Sequence, residues 1–511
     1  MIIDKFLDRL LHSNQKEKVM KVGSGMMISK NISININKLK NQILVDCCDV
    51  KYKEITIKLL EGELSGVLIF VDGLVDKQVI NRDILRPLLS KKNLLSKNNF
   101  SKISVLQQYL HIDDISSDIK LSSLTDNLFS GSTILIIDTF TEFLILNTKG
   151  FSDRAIEESK IEHVIRGPKD GFIENLRTNT SLIRRKIKDP KLKIRELTIG
   201  ERTKTTVAIL FVEELVNQNL LDDILSRIKK IKINGVFETA YIEQHLEESP
   251  YSMFPQMQTT ERPDKVCSNL LEGKIAIFVD GSPDCLLLPI TFSQLFQSPD
   301  DYYERLLYGN FLRLIRYLGF LITTSFPAFY VALTTFHQDV LPTDLAFSIA
   351  KSRIGVPYPP VIEVVLMEVT IELLREASAR LPASIGQTIG IVGAIVLGDA
   401  AVRANLVSPI MVIVVAITAL GAYIVPYYST SYALRFIRIP MVVSAATFGA
   451  YGMIITWCWI LAHLCRLSSF GFPYLSPFSP SDPALITDSL LRKPLYNQQT
   501  TPKTKRTRRA K

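Results

Sequence analysis

Apolar residues are arranged in two different ways along this chain. Up to about residue 300 they come in short runs between charged and turn-forming stretches, as strands alternating with helices do. Residues 54–59 (EITIKL) alternate, and 66–73 (GVLIFVDG) form an apolar run closed by Asp-Gly, a buried strand ending in a turn. Residues 132–138 (STILIID) and 142–146 (EFLIL) predict two strands on a tight connection. Residues 205–212 (TTVAILFV) predict another that leads into a helix, and 275–281 (IAIFVDG) the last. The string IFVDG stands at both 69–73 and 277–281, a weak sign of a duplicated unit. The alternation predicts an α/β part of two subdomains, 44–150 and 151–297, behind a flexible lead-in, 1–43.

Beyond residue 300 the apolar runs become long. Ser298-Pro-Asp-Asp301 reads as a helix start, with a capping serine, proline at the first turn and two carboxylates at the positive end of the dipole. That helix carries Arg305, Arg313 and Arg316 toward the first of four stretches without a charged side chain: 317–338, 381–398, 404–434 and 439–462. Each is near the ~20 residues that cross a bilayer. They predict an all-α transmembrane domain, 298–467, with spans at about 317–338, 381–399, 407–429 and 439–463, and then a basic tail, 468–511. Between the first two lies an amphipathic helix, 361–380, with Glu363, Glu368, Glu372, Arg375, Glu376 and Arg380. All but Glu363 share one face, so it belongs at an interface or beside a water-filled cavity.

Composition agrees with a soluble module joined to a membrane module. The 511 residues are 47% apolar and 22% charged, with formal net charge +9 and mean hydropathy +0.18. That excludes general disorder and disfavours a purely soluble enzyme. Six cysteines show no CxxC pair or zinc-finger spacing, and no secretory signal is visible, which puts the α/β part in a reducing cytoplasm. Basic charge concentrates in residues 160–204 with only Phe172 among it, which suits anionic lipid headgroups better than nucleic acid. Arginines before the first span and lysines after the last put both ends inside, an even count. Arg435 and Arg438 disagree, because they fall between the third and fourth candidates, in a loop that should lie outside. Phosphate-loop, dinucleotide, nucleophile-elbow and zincin motifs are absent, so no catalytic residue, cofactor or metal is expected. His163 and His245 read as surface residues, and Asp72 and Asp280 as turn formers.

Longer strings identify a resemblance. Residues 166–189 (RGPKDGFIENLRTNTSLIRRKIKD) and 261–310 resemble the GerA family of spore germination receptor A subunits. So do 332–335 (ALTT), 353–357 (RIGVP), 380–382 (RLP), 391–398 (IVGAIVLG) and 470–477 (FGFPYLSP). The resemblance implies a multi-pass protein of the spore inner membrane that responds to nutrients such as amino acids or sugars. It implies a homo-oligomer that conducts ions, partnered by a permease-like B subunit and a lipoprotein C subunit.

The residues permit such a conduit. Gly386, Gly390 and Gly393 share one face of the second span, where small residues let helices touch. Asp399 closes that span, with Arg403 four residues on as its natural partner. Val392, Ile395 and Val396 are candidates for a dry constriction, and Glu368 and Glu372 for a cation vestibule. The rivals are a non-conducting scaffold and, with four spans too few for it, a transporter.

Overall fold

The structure, a computed structural model, describes residues 27–494 apart from 60–61, 90–109, 113, 151–161, 163, 383–392, 394–395 and 482–488. The first sheet holds β1 (Val50–Leu59), β2 (Gly62–Val71), β3 (Ile115–Asp118), β4 (Thr133–Ile137) and β5 (Phe143–Leu146) in the order β1-β2-β4-β5-β3. The second holds β6 (Leu192–Ile199), β7 (Thr205–Val212), β8 (Gln258–Thr260), β9 (Ile275–Val279) and β10 (Cys285–Leu288) in the order β6-β7-β9-β10-β8. Every pairing is antiparallel.

The two sheets therefore share one plan: a hairpin, a short edge strand reached through helical segments, a helix, and a second hairpin. In the first sheet the last of those helices is α1 (Leu121–Phe129). In the second unit α2 (Leu176–Lys186) precedes the sheet, α3 (Gln218–Lys230) and α4 (Thr239–Leu246) lead to β8, and α5 (Pro263–Leu271) precedes β9. The duplication is real, but IFVDG does not mark equivalent positions. Its first copy lies on β2 and its second on β9, whose counterpart is β4. What the copies share is local: a buried strand ending in a turn where glycine takes positive φ, 93° at Gly73 and 91° at Gly281. Strands β3, β6, β8 and β10 escape the sequence pattern, since β6 (LKIRELTI) carries three charges and β8 is three residues long.

Three expectations about the α/β part change. Residues 27–43 are not a loose lead-in: Asn31 caps a short helix, Ile32–Lys38, and Leu39 and Ile43 are buried in the first sheet's core. The basic stretch does not face lipid as a block. Arg184 is fully buried and donates to Asp49 at 2.9 and 3.2 Å, to the Leu192 carbonyl at 2.8 Å and to the Asp189 carbonyl at 3.2 Å, tying the two sheets together. Arg195 pairs with Asp46 at 2.6 Å, Arg177 with Glu196 at 2.6 Å and Lys186 with Asp170 at 3.1 Å. Nor is 468–481 a free tail, because Tyr474 is buried and donates to the Pro255 carbonyl at 2.7 Å. All six cysteines are free thiols.

The helix start at Ser298 yields only one turn, Asp300–Tyr303, and α6 (Leu306–Thr335) begins afresh after it. Asp301 serves as counter-ion rather than dipole partner: Arg313 and Arg316, both buried, reach its carboxylate at 3.0 and 2.6 Å. Then come α7 (Thr343–Ser352), α8 (Pro360–Arg380), α9 (Pro409–Ile424) and α10 (Tyr428–Arg466). Helices α6 and α10 are long and apolar enough to cross a membrane, and α9 is a shorter apolar helix.

The sequence predicts a single span over 439–463. The chain instead folds back at Gly449, whose φ of 61° and ψ of −143° break α10 into two arms. The hydroxyls of Ser444 and Thr456 stand 2.8 Å apart, where twelve residues of straight helix would part them by about 18 Å. The arms, about 31 and 25 Å long, form a helical hairpin. Its tip meets the end of α6, where the Ala450 amide donates to His337 at 3.1 Å. Its open end sits on the α/β part, with Tyr427 donating to the Gln297 carbonyl and Ser252 beside His463 at 3.0 Å. The bundle thus begins and ends at the same face of the molecule.

Candidate functional site

Charged side chains inside the bundle converge on α8. Its amphipathic pattern predicts a place at an interface or beside a water-filled cavity among the spans, and α8 packs against α6, α9 and α10. At 100° per residue, Glu368, Glu372 and Glu376 advance by only about 40° each, while Glu363 lies some 140° from Glu368. The four carboxylates accordingly meet different neighbours.

Glu363 is fully buried at the end far from the α/β part. One oxygen accepts from Arg353 Nε at 3.3 Å and the other from the Ser408 amide at 2.8 Å. Ser408 is the N-cap of α9, so the carboxylate lies at the positive end of that helix.

One turn on, Glu368 pairs with Arg438, itself buried. Arg438 Nε also donates to the Thr323 carbonyl at 2.9 Å. The reason is legible in α6: Pro327 has no amide, so the carbonyl four residues back lacks its helical partner. The arginine thereby satisfies a carboxylate on one side and a proline-orphaned carbonyl on the other. In an apolar bundle either group left alone costs several kcal/mol, of order ~2–5.

Another turn on, Glu372 takes two guanidinium groups, Arg435 at 2.9 Å and Arg375 at 3.2 Å. Arg435 lies over the Tyr432 ring at 4.4 Å, and Arg375 over Tyr423 at 5.3 Å. Arg380 and Glu376 end the series, exposed and paired at 2.8 Å. Arg435 and Arg438 are therefore not loop residues. They lie three apart on one face of the first arm of α10, antiparallel to Glu368 and Glu372, and the connection between α9 and α10 is only residues 425–427.

Of the residues expected to form the gate and its packing face, Val392 and Ile395 of the gate and Gly386 and Gly390 of the packing face lie outside the described residues. Gly393 lies on a helix against α8, where an added Cβ would stand 2.9 Å from Leu374 Cδ2. Val396 is 56% exposed on the bundle surface. Asp399 pairs with Arg403 at 2.8 Å as the spacing suggests, both exposed. Glycine does mediate a close crossing elsewhere. Where α6 meets α9, a Cβ on Gly319 would stand 3.1 Å from the Gly421 carbonyl, and one on Gly421 2.7 Å from Thr323 Oγ1. Sequence reasoning missed Glu363, Arg353, Arg438 and this crossing. The available signal was a proline inside an uncharged run, which demands a donor from elsewhere.

Residues 37–504 match the family described as Bacillus/Clostridium GerA spore germination protein. The chain is similar to Spore germination protein B1 of Bacillus subtilis (strain 168), 38% identical over 469 residues, 92% of this chain and 96% of the relative. It is 39% identical over 477 residues to an uncharacterized membrane protein, YfkQ, of the same organism, covering 93% and 92% of the two chains. A crystal structure of the N-terminal domain of the A subunit of the Bacillus megaterium spore germinant receptor GerK3 is similar at 29% identity. It covers 52% of this chain and 98% of that one, with TM-score 0.41.

Proposed function

The chain belongs to the GerA family of spore germination proteins, and from that premise we propose that it is the A subunit of a nutrient germinant receptor in the spore inner membrane. Its α/β part lies on the cytoplasmic side, and its helices cross the bilayer an even number of times. Two features support that orientation: both ends of the bundle rest on the α/β part, and Arg305, Arg380 and Arg466 each stand at a helix end on that side. The subunit acts with a permease-like B subunit and a lipoprotein C subunit. Copies assemble around an ion path lined by the segment that holds Val392, Ile395, Val396 and Asp399, with Gly386, Gly390 and Gly393 as its packing face.

The observation that carries the reading is the series of ion pairs along α8, within a chain whose family is known. Intramembrane charges are expensive and are kept where they line a path or hold a switchable arrangement. In this conformation every α8 carboxylate named above is paired within the chain, which suits a shut state. The same pairing also suits a scaffold that conducts nothing.

Conductance separates the two. Full-length chain reconstituted with its B and C subunits should pass cations when nutrient is added, and a silent bilayer with nutrient-binding intact would leave the scaffold. Val396→Ser should wet a dry constriction and leak without nutrient, so that spores lose dormancy. Reduced protein and sluggish germination instead would assign Val396 to packing.

A further inference from the structure

A cavity of about 370 Å³ opens where the α/β part meets the near ends of α8, α9 and α10. Lys265, Arg316, Arg375 and Arg435 line it against two carboxylates, Glu162 and Asp300. Its cations outnumber their counter-ions in the surrounding wall as well. Arg316 and Arg313 share the carboxylate of Asp301, and Arg375 and Arg435 share that of Glu372. Among the described residues, the buried Nε groups of Arg375 and Arg435 have no acceptor. A buried guanidinium donor left unmet costs free energy that an anion would recover.

The surroundings narrow the anion. Tyr427 and Tyr428 line the same cavity, at the level where apolar helices give way to polar protein and where tyrosines mark a membrane interface. From its mouth, Ile424 continues into Leu420, Ile417 and Ile413, a stripe at helical spacing down α9 whose members are 39–64% exposed. A cationic chamber at headgroup depth, leading onto an apolar stripe, matches one molecule with two ends. We propose that this cavity binds the phosphate of an anionic phospholipid, with the acyl chains lying along α9. The volume lies within the range of small-molecule sites. Lipid charge thereby reaches Glu372 and Arg435, so the site sits against the series of ion pairs described above and deepens the proposed receptor reading. The binding test does not depend on conductance.

Full-length chain in zwitterionic nanodiscs should show a saturable rise in unfolding midpoint as phosphatidylglycerol is added. Arg375→Gln, which leaves Glu372 paired to Arg435, should weaken that response about tenfold. Arg375→Lys should keep most of it. Tyr428→Glu, on a residue 55% exposed, adds a repelling charge at the mouth without disturbing the core and should act like Arg375→Gln. Equal responses in wild type, Arg375→Gln and Tyr428→Glu would mean diffuse attraction to the basic surface and would overturn the site. A full response to inorganic phosphate alone would keep the anion site and overturn the lipid.

Discussion

Arg184 in the α/β part and Arg438 in the helix bundle are both buried arginines paired with a carboxylate on a distant element. Their surroundings differ. Arg184 grips Asp49 with two donors and gives two more to carbonyls of its own unit, stacked over Phe129 at 4.5 Å. It joins two sheets that each have an apolar core already. Arg438 meets one oxygen of Glu368, whose other oxygen is buried without a partner among the described residues, and turns its Nε to a carbonyl freed by Pro327. In water the apolar cores supply the stability and the ion pair fixes how they dock. Between helices in lipid no such drive exists, so polar pairs and glycine contacts set the arrangement itself.

Arg438→Leu breaks the comparison most severely. It leaves Glu368 as an unpaired buried charge and Thr323 with a bare carbonyl, so a loss of about 3–5 kcal/mol is expected. In practice that means little folded protein by detergent size-exclusion. Combining Arg438→Leu with Glu368→Leu should recover most of the yield, because apolar residues replace both charges. If the single variant folds normally, the pair is ornamental and the bundle is held by packing alone.

Arg184→Met should cost less, about 2–3 kcal/mol, because Asp49 can gain water when the two sheets part. The distinguishing readout is limited proteolysis between the two sheets. Faster cleavage with both sheets retained is expected. Loss of both sheets together would mean that they do not have independent cores.

Gly421→Ala sharpens the glycine half of the contrast. Its methyl would arrive 2.7 Å from Thr323 Oγ1 and 3.1 Å from the Gly319 carbonyl, so the threonine must turn or α6 and α9 separate. A loss of about 1–3 kcal/mol follows from overpacking. Thr323→Ala in the same chain should restore part of it. A neutral Gly421→Ala would show slack at that crossing.

What the sequence revealed follows the same division. Central strands such as β4 and β9 were legible because burial on both faces writes a continuous apolar run. Residues 192–199 were not, since three charges there pair across to neighbours, which a linear pattern cannot display. In the bundle, uncharged stretches located apolar helix but not its folding. One glycine with positive φ turned a predicted span into a hairpin, and Arg435 and Arg438 looked like loop charges because their partners lie more than sixty residues earlier on α8. Glu368 and Glu372 stood out as carboxylates that would suit a cation vestibule, whereas in the structure they pair with Arg438 and Arg435.

The smallest expected effect concerns a group of carboxylates in the water-facing part that lack what α8 provides. Glu243 on α4 is half-buried near Glu238, Glu247 and Asp284. Burial first, then those neighbouring charges, push its carboxyl up from 4.5 to about 7, and burial does the same to Asp284, up to about 6. A raised carboxyl pKa means that the folded state holds a proton that the unfolded chain has released. Stability should therefore fall as pH rises from about 4.5 to 7, the reverse of a salt-bridged acid. Glu243→Gln removes that titration. The variant should match wild type near pH 5 and exceed it by about 1–2 kcal/mol at pH 8, read as a higher unfolding midpoint of the full-length protein. The contrast with α8 predicts the opposite sign there, since Glu368→Gln takes a counter-charge from Arg438 and should destabilise at pH 8. If both variants shift the midpoint in the same direction, ion pairing does not distinguish the two regions.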